Sequence, residues 1–168
     1  MRIVILEDYP ERLVETVKQL NDICPEKCEV EVLVYDPQGD YGKKTEELTN
    51  MLSCQVTMVN YWDLEEKLDE LYNGTDTLFL FDTDIDRGAV IEVFEYRINV
   101  RYALKKRGDA ENQPYRIWFY TSVEHLKRAI ERTFGEHVIV AGQSGTSLSL
   151  NIEGCPTFCE ALRVHQTV

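Results

Sequence analysis

The sequence predicts an α/β domain with a doubly wound, mostly parallel sheet. Short apolar runs typical of buried strands alternate along the chain with amphipathic segments of helical period. Strands separated by helices form βαβ units, which produce parallel sheets covered by helices on both faces. Polar residues that could carry chemistry follow three of these strands, at Glu7-Asp8, Asp82 and Thr121. All three strand ends are expected at the same edge of the sheet.

Length and composition limit the classes of protein to which the chain can belong. The whole chain, residues 1–168, is expected to form one domain with its own core. Apolar residues make up 43% of it, which excludes a disordered chain. A net charge of −12 argues against a nucleic-acid partner, since phosphate backbones are bound by Lys and Arg. No apolar run suits a signal peptide or a membrane span, so we expect a cytoplasmic protein without a membrane partner.

The cysteines form two similar pairs, Cys24 with Cys28 and Cys155 with Cys159. Four thiolates could hold zinc. The predicted fold places the two pairs near different ends of the domain, so a shared zinc site is not expected. In a cytoplasmic protein the five cysteines are expected to be reduced thiols.

The first half of the chain contains three predicted strands and three predicted helices. Pro10 suits the first position of a helix, and Asp63 with Glu66 forms a capping-box pattern at the start of another. The predicted strands cover 2–8, 29–35 and 55–60, and the helices begin at Pro10, cover 43–53, and begin at Asp63.

The second half of the chain continues the alternation of strands and helices, but a predicted hairpin follows its last core strand. Ser122 is expected to cap a helix that Gly135 ends, and Gly142 to Gly145 has the composition of a turn. Alternating apolar and polar residues after that turn predict a hairpin at the sheet edge. The predicted elements are strands at 77–81, 115–120 and 137–141, helices at 89–107 and 122–134, and a short helix from Pro156 to about Val164.

The most informative stretch is the buried strand that ends in aspartates. Leu78 to Phe81 is a continuous apolar run, and Asp82, Asp84 and Asp86 follow it at a spacing of two residues. In open α/β sheets, ligands bind at the carboxyl ends of the strands. Asp82 is therefore the central candidate for a site residue.

Three segments of the chain resemble a known family, the receiver domains of response regulators. The segments are RIVILEDYPERL, TLFLFDTDID and RIWFYTS, which resemble the first, third and fourth receiver strands with their polar ends. The resemblance implies a five-stranded receiver-like sheet. Residues 29–60 then contain an extra strand–helix unit, and 142–154 add a C-terminal edge hairpin.

The resemblance also implies a chemistry for the site. Asp82 would be the phosphoacceptor, and Thr121 would supply the switch hydroxyl. Mg²⁺ would be held by the carboxylates of Glu7, Asp8 and Asp82 and by the backbone carbonyl of Asp84, oxygen ligands of the kind that hard cations prefer. The expected function is that of a stand-alone, divergent signalling domain and not an enzyme, with a kinase or a downstream signalling protein as its partner.

The chain departs from the family pattern after its last core strand. Receivers carry a Lys there that pairs with the acceptor and the phosphate, whereas here 137–141 is followed by Gly142-Gln143. The sequence therefore leaves two versions open. One is an Mg²⁺-dependent phosphoacceptor, and the other is a degenerate receiver that acts through protein interaction.

Two other functions remain as alternatives. Haloacid-dehalogenase-type phosphatases use an Asp-x-Asp pair after a strand, which Asp82 and Asp84 match, and Thr121 matches their second motif. Gln143, however, stands where that family has a metal-binding acid. The nucleophile strand of that family also normally opens the domain, whereas here about half of the chain precedes it. The third possibility is a non-enzymatic interaction module whose acidic residues are only surface charge.

Overall fold

The computed structural model describes most of the secondary structure of the chain. The described residues are 2–7, 10–23, 29–35, 50, 55–59, 63–73, 77–83, 85, 97–107, 116–121, 123–135, 139–144 and 147–149. The predicted helix at 43–53 lies outside them except for Asn50, which is helical. The helix predicted at 156–164, both cysteine pairs, Asp8 and Asp84 also lie outside the described residues.

A single seven-stranded sheet organises the described residues, in the order β3-β2-β1-β4-β5-β6-β7. Neighbours from β3 to β6 pair in parallel, and β7 joins β6 antiparallel as a hairpin. The strands are β1 (Arg2–Glu7), β2 (Glu29–Tyr35), β3 (Gln55–Val59), β4 (Thr77–Asp82), β5 (Ile117–Thr121), β6 (Ile139–Ser144) and β7 (Ser147–Ser149). The predicted α/β class with a mostly parallel sheet is confirmed.

Four helices accompany the sheet in the described part of the chain. They are α1 (Pro10–Ile23), α2 (Leu64–Asn73), α3 (Ile98–Lys105) and α4 (Glu124–Phe134). Pro10 stands at the first helical position, as predicted. Gly135 ends α4 with φ of 61°, a backbone conformation that glycine adopts without the steric cost a Cβ would add. None of the helices in the described ranges has the length and apolar character that a membrane crossing requires.

The helices lie on both faces of the sheet. On one face, α2, α3 and α4 pack against alternate strand residues such as Leu6, Phe81 and Phe119 in one apolar cluster. Because strand side chains alternate between faces, Glu7 and Asp82 point to the opposite face. Arg12 of α1 contacts both of these carboxylates, so α1 covers that face. This arrangement is compatible with a doubly wound fold.

Three sequence predictions are corrected in detail. The helix predicted over 89–107 is not continuous, because Arg97 is extended (φ −64°, ψ 132°) and α3 begins at Ile98. The turn predicted at 142–145 begins later, because β6 continues through Ser144 and pairs with β5 on one side and β7 on the other. The N-cap position of α4 is held by Val123 and not by Ser122.

Helices α2 and α3 are joined across their exposed sides by ion pairs. Arg101 contacts Glu65 at 2.9 Å, and Asp69 receives Lys105 at 2.6 Å and Lys106 at 2.8 Å. Burial raises the pKa of Asp69, but hydrogen bonds from the two lysines outweigh it and the pKa is lowered. Since exposed pairs contribute little individually, these contacts set the alignment of the two helices more than the stability of the domain.

A buried arginine connects β5 to β4 and α2. Arg116 is only 4% exposed, and its Nε donates to the carbonyl of Thr77 at 2.8 Å. A guanidinium nitrogen also donates to the carbonyl of Tyr72, and the guanidinium carbon lies 3.8 Å from the centre of the Tyr72 ring. One side chain therefore satisfies carbonyls at the end of α2 and the start of β4.

We expect Arg116→Met to lower the free energy of unfolding by about 2–4 kcal/mol, because buried carbonyls lose charged donors and the ring loses its cation. Urea denaturation followed by circular dichroism measures the change. Arg128→Met is the matched control, since Arg128 makes an exposed pair with Glu124, and its effect should be below about 0.5 kcal/mol. Equal effects of the two substitutions would contradict the anchoring role of Arg116.

Candidate functional site

The candidate site lies where the chain reverses its direction across the sheet. From β1 the chain builds outward through β2 and β3, and it then returns to place β4 on the other side of β1. A crevice forms at the carboxyl ends of the two strands that flank such a reversal, and ligands of open α/β sheets bind there. Glu7 ends β1 and Asp82 ends β4. The two predicted acids therefore lie on either side of this switch point.

One arginine joins the two carboxylates. A guanidinium nitrogen of Arg12 lies 2.9 Å from Oδ2 of Asp82 and 3.3 Å from Oε1 of Glu7. Glu7 and Asp82 are 0% and 1% exposed, whereas the Arg12 side chain is 20% exposed. Arg12 belongs to the first turns of α1, which follows β1 directly. The βα connection thus brings a cation back to the edge where β1 ends.

Tyr120 completes the group from the neighbouring strand. It stands opposite Asp82 in the β4–β5 register, and its hydroxyl donates to Oε2 of Glu7 at 2.5 Å. Burial, and then the nearby carboxylates of Glu7 and Asp82, raise the pKa of the Tyr120 hydroxyl well above its ordinary value. The hydroxyl therefore remains a hydrogen-bond donor at neutral pH. We call Glu7, Arg12, Asp82 and Tyr120 the carboxylate cluster.

The backbone that follows the cluster is held from the start of α3. The Asn99 side chain, which is fully buried, donates to the carbonyl of Asp82. Arg97 donates to the carbonyl of Thr83 at 2.7 Å, and the Thr83 N–H bonds to the carbonyl of Tyr120 at 3.2 Å. The backbone carbonyls of Asp82 and Thr83 therefore both accept hydrogen bonds from within the protein. This fixes the direction in which the chain leaves β4.

Thr121 lies at the same edge of the sheet but one residue beyond Tyr120. It is 5% exposed, and its Oγ1 accepts a hydrogen bond from the Val123 N–H at 3.0 Å. Along a strand, neighbouring side chains point to opposite faces, so Thr121 points away from the face of Tyr120. The hydroxyl supports the chain as it enters α4. The structure therefore brings Glu7 and Asp82 together with Arg12, and places Thr121 at the same edge on the other face.

The fit of a magnesium ion can be tested on the described residues. The two carboxylates have the oxygen chemistry that a hard cation prefers. The position between them, however, is held by the Arg12 guanidinium, and no group of three His, Cys, Asp or Glu within the described ranges could hold a metal ion. With Arg12 in place, the described residues do not form an Mg²⁺ site.

Several members of this site were not identified from the sequence. Arg12 is the only basic residue within the first turns after Glu7-Asp8, and its position in a helix that starts at a strand end was a usable signal. Tyr120 sits at the end of an apolar strand, where a hydroxyl could also have been noticed. Asn99 gave no signal, because a single polar residue in a helical pattern normally faces solvent.

The cluster is a buried group in which one guanidinium offsets part of the charge of two carboxylates, and Arg12 is its partly exposed member. Two buried carboxylates repel each other and need a cation or a proton to remain stable. Arg12 provides the cation and Tyr120 an additional donor. As it stands, Asp82 is not a free nucleophile, because its carboxylate is engaged by Arg12. A ligand that approached Asp82 would have to displace or share the guanidinium.

We expect Tyr120→Phe to lower the free energy of unfolding at neutral pH by about 1.5–3 kcal/mol, because Glu7 loses a donor to a charged acceptor. The pKa of Tyr120 is higher in the folded state than its value near 10 in the unfolded chain. Its contribution is therefore fully present below about pH 10 and is lost as the pH rises toward the folded-state pKa.

Urea denaturation of both proteins from about pH 8 to about pH 11 measures this effect. The advantage of the wild-type protein over Tyr120→Phe should shrink as the pH rises. In a Glu7→Gln background the same substitution should cost less, because the acceptor is no longer charged. A constant difference across the pH range would contradict the coupling of Tyr120 to the carboxylates.

No protein-family model, curated protein or solved structure matches the chain. Function is therefore inferred from the carboxylate cluster and from the sheet that positions it.

Proposed function

We propose that the chain is a divergent, receiver-like signalling domain that acts by binding a protein partner. In this proposal Asp82 keeps the acceptor position of the receiver family, and phosphotransfer is degenerate. The observation that carries the proposal is the meeting of Glu7 and Asp82 at the switch point between β1 and β4. A receiver domain would place its acid pair and its phosphoacceptor at this same position.

The order of the sheet supports the same proposal. Without the edge strands β3 and β7, the strands in chain order are β1, β2, β4, β5 and β6, and their order across the sheet is 2-1-3-4-5. Flavodoxin-like folds, which include receivers, have this order. In this proposal β3 belongs to an extra strand–helix unit at one edge, and the β6–β7 hairpin is an addition at the other.

The degenerate version is favoured over the active one by two features of the site. The Asp82 carboxylate is 1% exposed and in contact with Arg12, so it is not presented to a phosphodonor. The end of β6, where receivers place a Lys, reads Gly142-Gln143-Ser144. The stabilisation of an incoming phosphoryl group would need cations that are both accessible and unengaged.

The proposed contact surface is the exposed side of α4. Val123, at the N-cap position of α4, is 37% exposed. Among the described residues, it is the large hydrophobic residue that is exposed to solvent. His125 and Arg128 are exposed on the same helix. This surface connects to the site through β5, because Thr121 bonds to the Val123 N–H while Tyr120 bonds to Glu7. In this proposal a change at Asp82 reaches Tyr120 through Arg12 and Glu7, and it reaches α4 through the adjacent Thr121.

Site-specific photo-crosslinking in native cell extract tests the proposed interaction. A crosslinking residue at position 125 should capture one defined protein, whereas the same residue at position 70 should not. Glu70 is the matched control, because its side chain is 62% exposed and lies on α2. The yield at position 125 should change several-fold in the Asp82→Asn background, since the site and α4 are connected. Equal capture from both positions, unaffected by Asp82→Asn, would contradict the proposal.

Intact-mass measurement separates the two versions of the receiver hypothesis. After incubation with an acyl phosphate and Mg²⁺, we expect no phosphoryl group on the wild-type chain. A mass gain that Asp82→Asn abolishes would instead assign the active, Mg²⁺-dependent phosphoacceptor. Turnover of a generic phosphate ester, lost in Asp82→Asn, would indicate the phosphatase alternative and overturn the signalling proposal.

A further inference from the structure

Arg12 occupies the place where a cation is expected. A single guanidinium nitrogen contacts Oε1 of Glu7 and Oδ2 of Asp82, so the two carboxylates converge on one positively charged atom. Carboxylates that end neighbouring strands and converge in this way would otherwise form the core of a divalent-cation site. Here the positive charge is part of the chain.

We propose that Arg12 is the resident cation of this pocket and replaces the divalent metal. The wild-type chain then does not bind Mg²⁺ between Glu7 and Asp82, and removal of the Arg12 guanidinium creates a divalent-cation site there. This inference rests on the proposed receiver-like function, because that function is what leads us to expect a cation at the switch point.

The energetics of the pocket support a permanent occupant. Glu7 and Asp82 are almost fully buried, and leaving such carboxylates without a counter-ion is strongly unfavourable. Arginine keeps its charge at every relevant pH, so it cannot leave the pair by losing a proton. The guanidinium nitrogen that contacts both acids carries two N–H groups, so it can offer one donor to each carboxylate.

The position of Arg12 in the fold gives it an advantage over a dissolved ion. It lies in the first turns of α1, so folding itself brings the guanidinium to the strand ends. A tethered group acts at a high effective concentration, whereas a metal ion must be captured from solution and partly dehydrated. Mg²⁺ would have to displace Arg12, and the displaced guanidinium would lose both of its carboxylate partners.

Mn²⁺ and Mg²⁺ binding to the full-length chain tests the proposal. Thermal unfolding with increasing Mg²⁺, and electron paramagnetic resonance of free Mn²⁺, report binding without any need for activity. The melting temperature of the wild-type protein should not change as Mg²⁺ is added. Arg12→Met should respond, because a ligand that binds only the folded state stabilises it, and its Mn²⁺ affinity should exceed that of wild type by about tenfold or more.

Two control variants locate the effect. Arg12→Met combined with Asp82→Asn should lose the response, because one of the two converging carboxylates is gone. Arg128→Met removes an exposed arginine that pairs with Glu124 on α4, and it should behave as wild type. If Arg12→Met is unfolded without metal, refolding on addition of Mg²⁺ supports the proposal by the same linkage.

Two outcomes would overturn the proposal. One is metal binding by the wild-type chain as tight as that by Arg12→Met. The other is the absence of any metal response in Arg12→Met, whether that variant is folded or not. A measurement on the wild type alone is also decisive, because the Arg12 guanidinium signals in an NMR spectrum should not move when Mg²⁺ is added. None of these readouts involves a partner protein, so failure of the signalling proposal can be recognised separately.

Discussion

The described fold depends on how it stabilises two carboxylates that it buries at the centre of one edge of the sheet. Glu7 and Asp82 end the two strands on which the rest of the sheet is built, and each is nearly inaccessible to water. Burial of charge is tolerated only with a partner of opposite sign and with satisfied hydrogen bonds. Arg12, from the helix after β1, supplies the opposite charge. Tyr120, from the strand beside β4, donates a hydrogen bond to Glu7. The first βα unit and the central strands are therefore linked by charge as well as by apolar packing.

Polar contacts at this edge and at the opposite edge have different roles. At the carboxyl edge, Asn99 and Arg97 hold carbonyls of the chain that leaves β4, and the carboxylate cluster remains partly accessible through Arg12. At the amino edge, Arg116 joins the end of α2 to the start of β4 and lies over the Tyr72 ring. The first set of contacts fixes the path of the chain beside the carboxylate cluster, whereas the second connects secondary-structure elements to each other.

The sequence was sufficient to predict the strands and the edge at which the acids meet, because buried strands appear in a sequence as short apolar runs. It predicted β2 to the residue and the positions of Glu7, Asp82 and Thr121 at one edge. It did not predict that Arg12 would bridge the acids, because such a contact depends on the path of a helix relative to a sheet. The break at Arg97 was also missed, since the apolar spacing continues through it while Asn99 and Arg97 bond to β4. Tertiary hydrogen bonds override local helical periodicity at such positions.

The contacts of Asn99 and Arg97 have a consequence for the entropic cost of closing the chain between β4 and α3. They return the start of α3 to the residues that end β4, so the intervening stretch begins and ends at one fixed place. The entropy of closing a loop grows slowly, by about 0.6 kcal/mol for each doubling of its length. The number of residues between Thr83 and Arg97 therefore adds little to the cost of bringing them together, and burial of Ile85 in the apolar cluster favours the same arrangement. Asp82 and its counter-ion are thus held by residues that are near in space although far apart in sequence.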